Sequence, residues 1–156
     1  MIRASIPADT PGLVELAHST RVFKPLEIQA LREVLDDYFA GNREAGHGCI
    51  THESNGQVDG FAYFAPTAMT DRTWELYWIA VAPAKHGSGI AGELLRHVEA
   101  EVLRRQGRML FIDTSALPSY DRTRAFYLKH GYEIAGILRD WYADGDDKVI
   151  FRKRLR

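Results

Sequence analysis

The chain has 156 residues, of which 46% are hydrophobic and 26% are charged, as is typical of one globular domain. Its 20 basic and 21 acidic residues give a formal net charge of −1, so no strong overall field would attract nucleic acid or an anionic membrane. The single cysteine, Cys49, excludes an internal disulfide and favours a reducing compartment. Because neither a signal peptide nor an apolar run of membrane-spanning length is present, we expect a single cytoplasmic domain over residues 1–156.

The first predicted elements are a strand and two helices. Alternating apolar and polar residues predict a strand over residues 2–6. Asp9 or Thr10 suits the N-cap of the first helix. The second helix is expected to begin at Pro25 and to end at Gly41.

The pattern then changes from helical to strand-like. Strands over 48–53 and 58–65 are predicted to form a hairpin, because Asn55 and Gly56 between them tolerate positive φ. Residues 73–81 are the most apolar strand candidate, which is typical of a central strand.

The C-terminal half is predicted to contain two helices and three strands. They cover, in order, residues 89–106 (helix), 109–113 (strand), 119–130 (helix), and 132–141 and 147–155 (strands). Ser119 suits the N-cap of the second of these helices, and Gly131 the left-handed position after it. The central strand–helix–strand crossover favours parallel neighbours between antiparallel hairpins. The fold class is therefore α/β, with a mixed sheet of about seven strands and four helices on its faces.

The most informative segment follows the central strand and reads Lys85-His86-Gly87-Ser88-Gly89-Ile90-Ala91-Gly92. A strand, a glycine turn and a helix in this order present unpaired backbone N–H groups at a helix N-terminus, which is a main-chain site for an anion. Glycines at 87 and 89 would allow a diphosphate to approach the backbone closely. The spacing matches neither the dinucleotide-binding nor the P-loop pattern. A turn needed only for chain reversal is the alternative.

The pattern His86-x-x-Gly89-x-Ala91 resembles the Q/R-x-x-G-x-G/A signature of the GNAT superfamily of acyl-coenzyme-A-dependent N-acyltransferases. Pro83 also matches the proline of the family's V-x-P, and the order of elements along the chain is that of the family. The resemblance implies acetyl-CoA as co-substrate and no metal. It places the diphosphate on a run of residues: His86, Gly87, Ser88, Gly89, Ile90, Ala91 and Gly92. His86 departs from the usual Gln or Arg, which weakens a side-chain contact and leaves its backbone N–H able to donate.

The resemblance also gives a role to the end of the central strand. In the family this strand splays from its parallel neighbour, and the pantetheine arm pairs with its backbone. That implies main-chain contacts at Ile79, Ala80 and Val81. An uninterrupted core strand is the alternative.

The segment Ala125-Phe126-Tyr127-Leu128-Lys129-His130-Gly131-Tyr132 resembles the family's A-x-(L/F)-Y-x-x-x-G-(F/Y). It implies that the Tyr127 hydroxyl protonates the leaving thiolate. A packing role for this aromatic residue is the alternative. Many members carry Asn seven residues earlier, where this chain has Tyr120, so a cofactor contact of that Asn is not carried over to this chain.

Glu75 is the only carboxylate between Thr73 and Val81, and its neighbours are apolar or aromatic. Such surroundings raise the pKa of a carboxyl toward neutrality, which suits a general base for an amine. A solvent-facing Glu75 is the alternative, and Asp113 or a chain of water molecules is the reserve base.

Together these residues predict an N-acetyltransferase that moves an acetyl group from acetyl-CoA to a primary amine of a small molecule or peptide by direct attack in a ternary complex. Nucleic acid and membranes are not expected as partners, and a homodimer is possible. Cys49, in an apolar stretch, is expected to be buried and not a nucleophile. A non-catalytic acyl-CoA sensor, or a module for another phosphate ligand, is the alternative.

Overall fold

The structure is a computed structural model that describes every residue from Met1 to Arg156. It contains seven strands and four α-helices. The strands are β1 (Ile2–Ala4), β2 (Gly48–Ser54), β3 (Gln57–Pro66), β4 (Thr73–Val81), β5 (Met109–Ser115), β6 (Glu133–Ala143) and β7 (Asp146–Arg154). The helices are α1 (Thr10–Ser19), α2 (Pro25–Asp37), α3 (Ile90–Arg104) and α4 (Asp121–Lys129).

The strands form one sheet in the order β1-β2-β3-β4-β5-β7-β6. β4 and β5 are parallel, whereas β2 is antiparallel to β1 and β3, and β7 is antiparallel to β5 and β6. The parallel pairing runs over four residues, from Thr73 opposite Met109 to Leu76 opposite Ile112. The predicted mixed sheet with a central parallel pair is therefore confirmed.

The chain divides into two compact units. The first contains Met1–Ala65 and Trp78–Val98, and the second contains Pro66–Tyr77 and Glu99–Arg156. Strand β4 and helix α3 each contribute residues to both units. None of the helices combines the length and the apolar character needed to cross a membrane.

The first unit has its hydrophobic core between α1, α2 and the first hairpin. The fully buried members include Leu13, Ala17, Leu31, Leu35, Phe61 and Tyr63. Helix α2 begins with Pro25 at its first position, and Glu27 caps it by accepting the Lys24 N–H at 3.0 Å. The predicted hairpin turn is confirmed, with φ of 52° at Asn55 and 78° at Gly56.

The second unit places α4 next to the last hairpin. Gly131 has φ of 89°, and the Tyr132 N–H donates to the Tyr127 carbonyl at 3.0 Å, which confirms the predicted end of the helix. The prediction of Ser119 as N-cap is wrong. Ser119 lies inside a 3₁₀ turn, Pro118–Tyr120, and α4 begins only at Asp121. Pro118 favours this turn because its ring already holds the φ that the turn needs.

Candidate functional site

The glycine loop between β4 and α3 is exposed and is held by its own hydrogen bonds. Pro83–Lys85 form a 3₁₀ turn, and the His86 N–H donates to the Pro83 carbonyl at 3.2 Å. The Ser88 N–H and hydroxyl both donate to the Lys85 carbonyl, at 3.2 and 2.5 Å. The backbone N–H groups of His86 and Ser88, which sequence analysis assigned to a diphosphate, are therefore used within the loop.

A row of other backbone N–H groups remains available. The first intrahelical bond of α3 is the one from the Glu93 N–H to the Gly89 carbonyl, 3.0 Å long. The N–H groups of the three preceding residues, Ile90, Ala91 and Gly92, consequently have no acceptor in the helix. With the Gly89 N–H they point out of a helix N-terminus, where the helix dipole also favours negative charge.

The two loop glycines have a conformational role as well as a steric one. Gly87 has φ of 82° and Gly89 has φ of 88°, and these values favour glycine strongly. A Cβ at either position would meet no atom within 4 Å, so the surface above the loop is open. This surface, with its N–H donors, fits a diphosphate group.

The His86 side chain closes the loop onto the strand that precedes it. Its Nε2 lies 2.9 Å from the Val81 carbonyl oxygen, to which it donates. The side chain thus stabilises the loop, and the Val81 carbonyl already has a partner in the chain.

Helix α3 comes unusually close to β3 at Gly60. A Cβ at Gly60 would lie 3.0 Å from both Ile90 Cγ2 and Leu94 Cδ1, and 3.4 Å from the Ala80 carbonyl oxygen. Those distances are tighter than most Cβ contacts, so a methyl group there would require its neighbours to move by a few tenths of an ångström. Gly60 thus lets the first turns of α3 pack closely against the strand.

The second unit contains a cluster of charged side chains on one face of its strands. The Lys148 ammonium lies 3.1 Å from Asp113 Oδ2 and 4.4 Å from the centre of the Trp141 ring. Burial, together with the hydrogen bond and negative charge of Asp113, raises the pKa of Glu75 to about 7, although Lys148 and a hydrogen bond from Tyr77 oppose this rise. Glu75 is partly buried, so its side chain is not simply directed into solvent.

Glu75 and Asp113 are alternatives by sequence, and the structure brings them together. Their interactions with Lys148 and Tyr77 were not predicted. The only available signal was that Lys148 lies near the start of a predicted strand, just before Val149 and Ile150, a position that many surface lysines share.

Tyr127 lies in an aromatic cluster with Phe126, Tyr132 and Phe151, whose ring centres are 5.4 to 5.9 Å from its own. The residue is only 3% exposed. Burial, with a smaller effect of Tyr120, raises the pKa of Tyr127 above its usual value. The hydroxyl therefore stays protonated at neutral pH.

Cys49 is 2% exposed, and burial raises the pKa of its thiol to about 12. Since the thiolate is the reactive form, this cysteine is unsuited to act as a nucleophile.

Comparison with known proteins gives the same family by sequence and by structure. The family model of the GNAT acetyltransferase domain matches residues 44–134. The chain belongs to the GNAT acetyltransferase family. A crystal structure of a protein from Desulfovibrio desulfuricans, described as belonging to the GNAT family, is 32% identical over 100% of this chain and 99% of its own, with a TM-score of 0.95.

More distant GNAT structures share the fold. An aminoglycoside 6′-N-acetyltransferase complexed with coenzyme A is 17% identical, covers 100% of this chain and 97% of its own, and has a TM-score of 0.79. A ribosomal-protein-alanine N-acetyltransferase from Brucella melitensis is 23% identical over 99% of both chains, with a TM-score of 0.77. No curated protein sequence gives a significant match. The matched GNAT domain contains the glycine loop, the Glu75–Asp113 pair and Tyr127.

Proposed function

We propose that this protein transfers an acetyl group from acetyl-CoA to a primary amine of a small molecule or peptide. The observation that carries the proposal is the row of N–H groups from Gly89 to Gly92 at the start of α3, beneath an open glycine surface. That surface suits a diphosphate, and the related aminoglycoside enzyme was crystallised with coenzyme A. The proposed diphosphate site comprises residues 86–92, in which His86 and Ser88 shape the loop.

The thioester end of the donor is assigned to β4. Ile79, Ala80 and Val81 lie beyond the four residues of β4 that pair with β5. Their backbone groups would pair with the pantetheine arm as an added strand would. Since the Val81 carbonyl bonds His86, the pairing would use the Val81 N–H and the groups of the two residues before it.

The proposed reaction is a direct attack of the amine on the thioester carbonyl, in which the N–C bond forms and the C–S bond breaks. Glu75, with a pKa of about 7, is partly ionised at neutral pH and would accept the proton that the amine loses. Tyr127 would donate its hydroxyl proton to the leaving thiolate. The apolar surroundings that raise the pKa of Tyr127 would also raise that of a thiolate beside it, so the transfer stays feasible.

The acceptor is proposed only as a class. Among the related structures, one is named for an aminoglycoside and another for the alanine of a ribosomal protein, so the fold serves both small-molecule and protein amines. A near-neutral net charge of −1 gives this chain no global attraction for nucleic acid. We further propose that it acts in the cytoplasm.

A thiol-release assay with acetyl-CoA and a panel of primary amines tests the proposal. Turnover that depends on the amine, with the acetylated amine detected by mass spectrometry, would support it. Binding of acetyl-CoA without turnover of any amine would instead favour a sensor module. Binding of ATP or sugar phosphates, together with no change in the unfolding temperature on addition of CoA, would reject the acyl-CoA assignment.

A further inference from the structure

The pairing of β2 with β3 is irregular at Asp59. Glu53 lies opposite Val58, and His52 lies opposite Gly60, so Asp59 is an extra residue in β3. Such a bulge redirects a side chain and releases a backbone group from the ladder. Here the Asp59 carbonyl accepts the N–H of Ala82, the first residue after β4, at 2.8 Å. The bulge therefore anchors the start of the glycine loop.

The Asp59 side chain reaches the other end of the same loop through a histidine. Asp59 Oδ1 lies 2.5 Å from His52 Nδ1, and His52 Nε2 lies 3.4 Å from Glu93 Oε2. Glu93 is in the first turn of α3 and supplies the first N–H of its helical ladder, to the Gly89 carbonyl. Residues 82 and 93, which flank the loop, thus converge on one buried pair.

The pair is well suited to hold this geometry. His52 is 6% exposed and Asp59 is 4% exposed, so water competes little for their hydrogen bond. The two ring nitrogens of His52 face carboxylate oxygens on opposite sides, Asp59 Oδ1 at Nδ1 and Glu93 Oε2 at Nε2, so the ring connects the two residues. Lys85 in the loop also interacts electrostatically with Asp59.

We propose that His52 and Asp59 are positioning residues that hold the glycine loop and the α3 N-terminus in the arrangement that binds the diphosphate of the acyl donor. The proposal rests on the proposed function for the identity of the donor. Both residues act indirectly: the Asp59 backbone carbonyl holds Ala82, whereas the Asp59 side chain acts through His52, and His52 acts through Glu93. Their effect is consequently confined to the diphosphate end of the donor and does not extend to the thioester.

The experiment compares two acetyl donors with His52→Gln and Asp59→Asn. With acetyl-CoA, each substitution should raise KM by about tenfold and leave kcat within about twofold of the original. With S-acetyl-pantetheine, which lacks the diphosphate, kcat/KM should not change. A merely structural role would lower activity with both donors alike, and that result would overturn the proposal.

His47→Gln is the matched control. His47 is partly buried, and its Nδ1 lies 2.6 Å from the Tyr63 hydroxyl, a side-chain hydrogen bond that does not involve the loop. We expect this variant to show the original KM for acetyl-CoA. If KM for acetyl-CoA rose as much in His47→Gln as in His52→Gln, the loss of either histidine contact would have the same effect. That result would also overturn the proposal.

Glu93→Ala gives a second test at an exposed position, in case the buried variants fail to fold. If Glu93 acted only by its charge, removing it from a helix N-terminus would tighten the binding of an anion. The proposal predicts the opposite, a several-fold weaker binding of CoA measured by calorimetry, and tighter binding would contradict it. Calorimetry needs no turnover, so it tests the two proposals separately. If the unsubstituted protein binds CoA but acetylates no amine, only the proposed function is overturned. If it does not bind CoA, the proposed function and the role of His52 and Asp59 are both overturned.

Discussion

Glu75 and Asp113 are carboxylates on neighbouring parallel strands, and the second negative charge disfavours ionisation of the first. Glu75 must be ionised to accept a proton, so kcat/KM should rise with pH through about 7 and level off above it. Glu75→Gln should remove this rising limb of the pH profile and lower kcat/KM by about 10²-fold. Profiles of the two proteins, measured with one acceptor amine, provide the test, and an identical limb in the variant would exclude Glu75 as the base.

The neighbours of Glu75 should move the same limb in opposite directions. Asp113→Asn removes a negative charge that raises the pKa of Glu75, so the limb should shift to lower pH. Lys148→Met removes a positive charge that lowers it, so the limb should shift to higher pH. Shifts of the two variants in the same direction would show that the limb belongs to another group.

Tyr127 is the second residue for which a role in chemistry can be separated from a role in packing. Tyr127→Phe keeps the buried ring and removes only the hydroxyl, so the free energy of unfolding should change by no more than about 1 kcal/mol. If the hydroxyl protonates the thiolate, kcat should fall by about 10²-fold. Thermal unfolding and steady-state kinetics measure the two quantities, and full turnover in the variant would leave Tyr127 as a packing residue.

Among the secondary-structure elements, the features that were predicted correctly are those that depend on the residues at that point of the chain. The turn at Asn55 and Gly56 and the helix end at Gly131 need positive φ, which few residue types adopt readily, so the residues themselves mark the position. The β4 bounds were also predicted correctly, at Thr73 and Val81.

The features that escaped prediction depend on residues distant in sequence. The bulge at Asp59 is defined by its register with β2, and the approach of α3 to Gly60 by packing across the fold. Neither leaves a pattern in the local sequence. The start of α4 was missed for a different reason. Ser119 is a favourable N-cap type, but the 3₁₀ turn at Pro118 includes it, and the helix begins only at Asp121, with Tyr120 at the N-cap.

The seating of α3 on β3 leads to a prediction for Gly60→Ala. The new methyl group would lie 3.0 Å from Ile90 Cγ2 and Leu94 Cδ1, so we expect the first turns of α3 to shift slightly and the free energy of unfolding to fall by about 1–3 kcal/mol. Because the shift moves the N–H groups at the helix N-terminus, KM for acetyl-CoA should rise several-fold as well. Gly12→Ala in α1, where no atom lies within 4 Å, is the control and should leave KM unchanged. An unchanged KM for Gly60→Ala would mean that binding of the acetyl donor does not depend on the position of α3.

For the whole molecule, the question is whether the two compact units unfold together. The division falls within β4, between Tyr77 and Trp78, and within α3, between Val98 and Glu99, so each unit contains only part of these two elements. A strand and a helix shared in this way couple the units covalently and through their backbone hydrogen bonds. We therefore expect one cooperative transition, with equal calorimetric and van't Hoff enthalpies, as for a single domain.

Adding CoA makes the unfolding experiment more specific, because the proposed diphosphate site lies within the first unit alone. A ligand at about 100 times its Kd stabilises the folded state by about 2.7 kcal/mol, and a chain of this size should then gain roughly 5 to 10 °C in Tm. If the units are coupled, the whole transition moves by this amount and remains single in differential scanning calorimetry. Two transitions, of which CoA shifts only one, would mean that the units are separate domains and would contradict the prediction of one domain over residues 1–156.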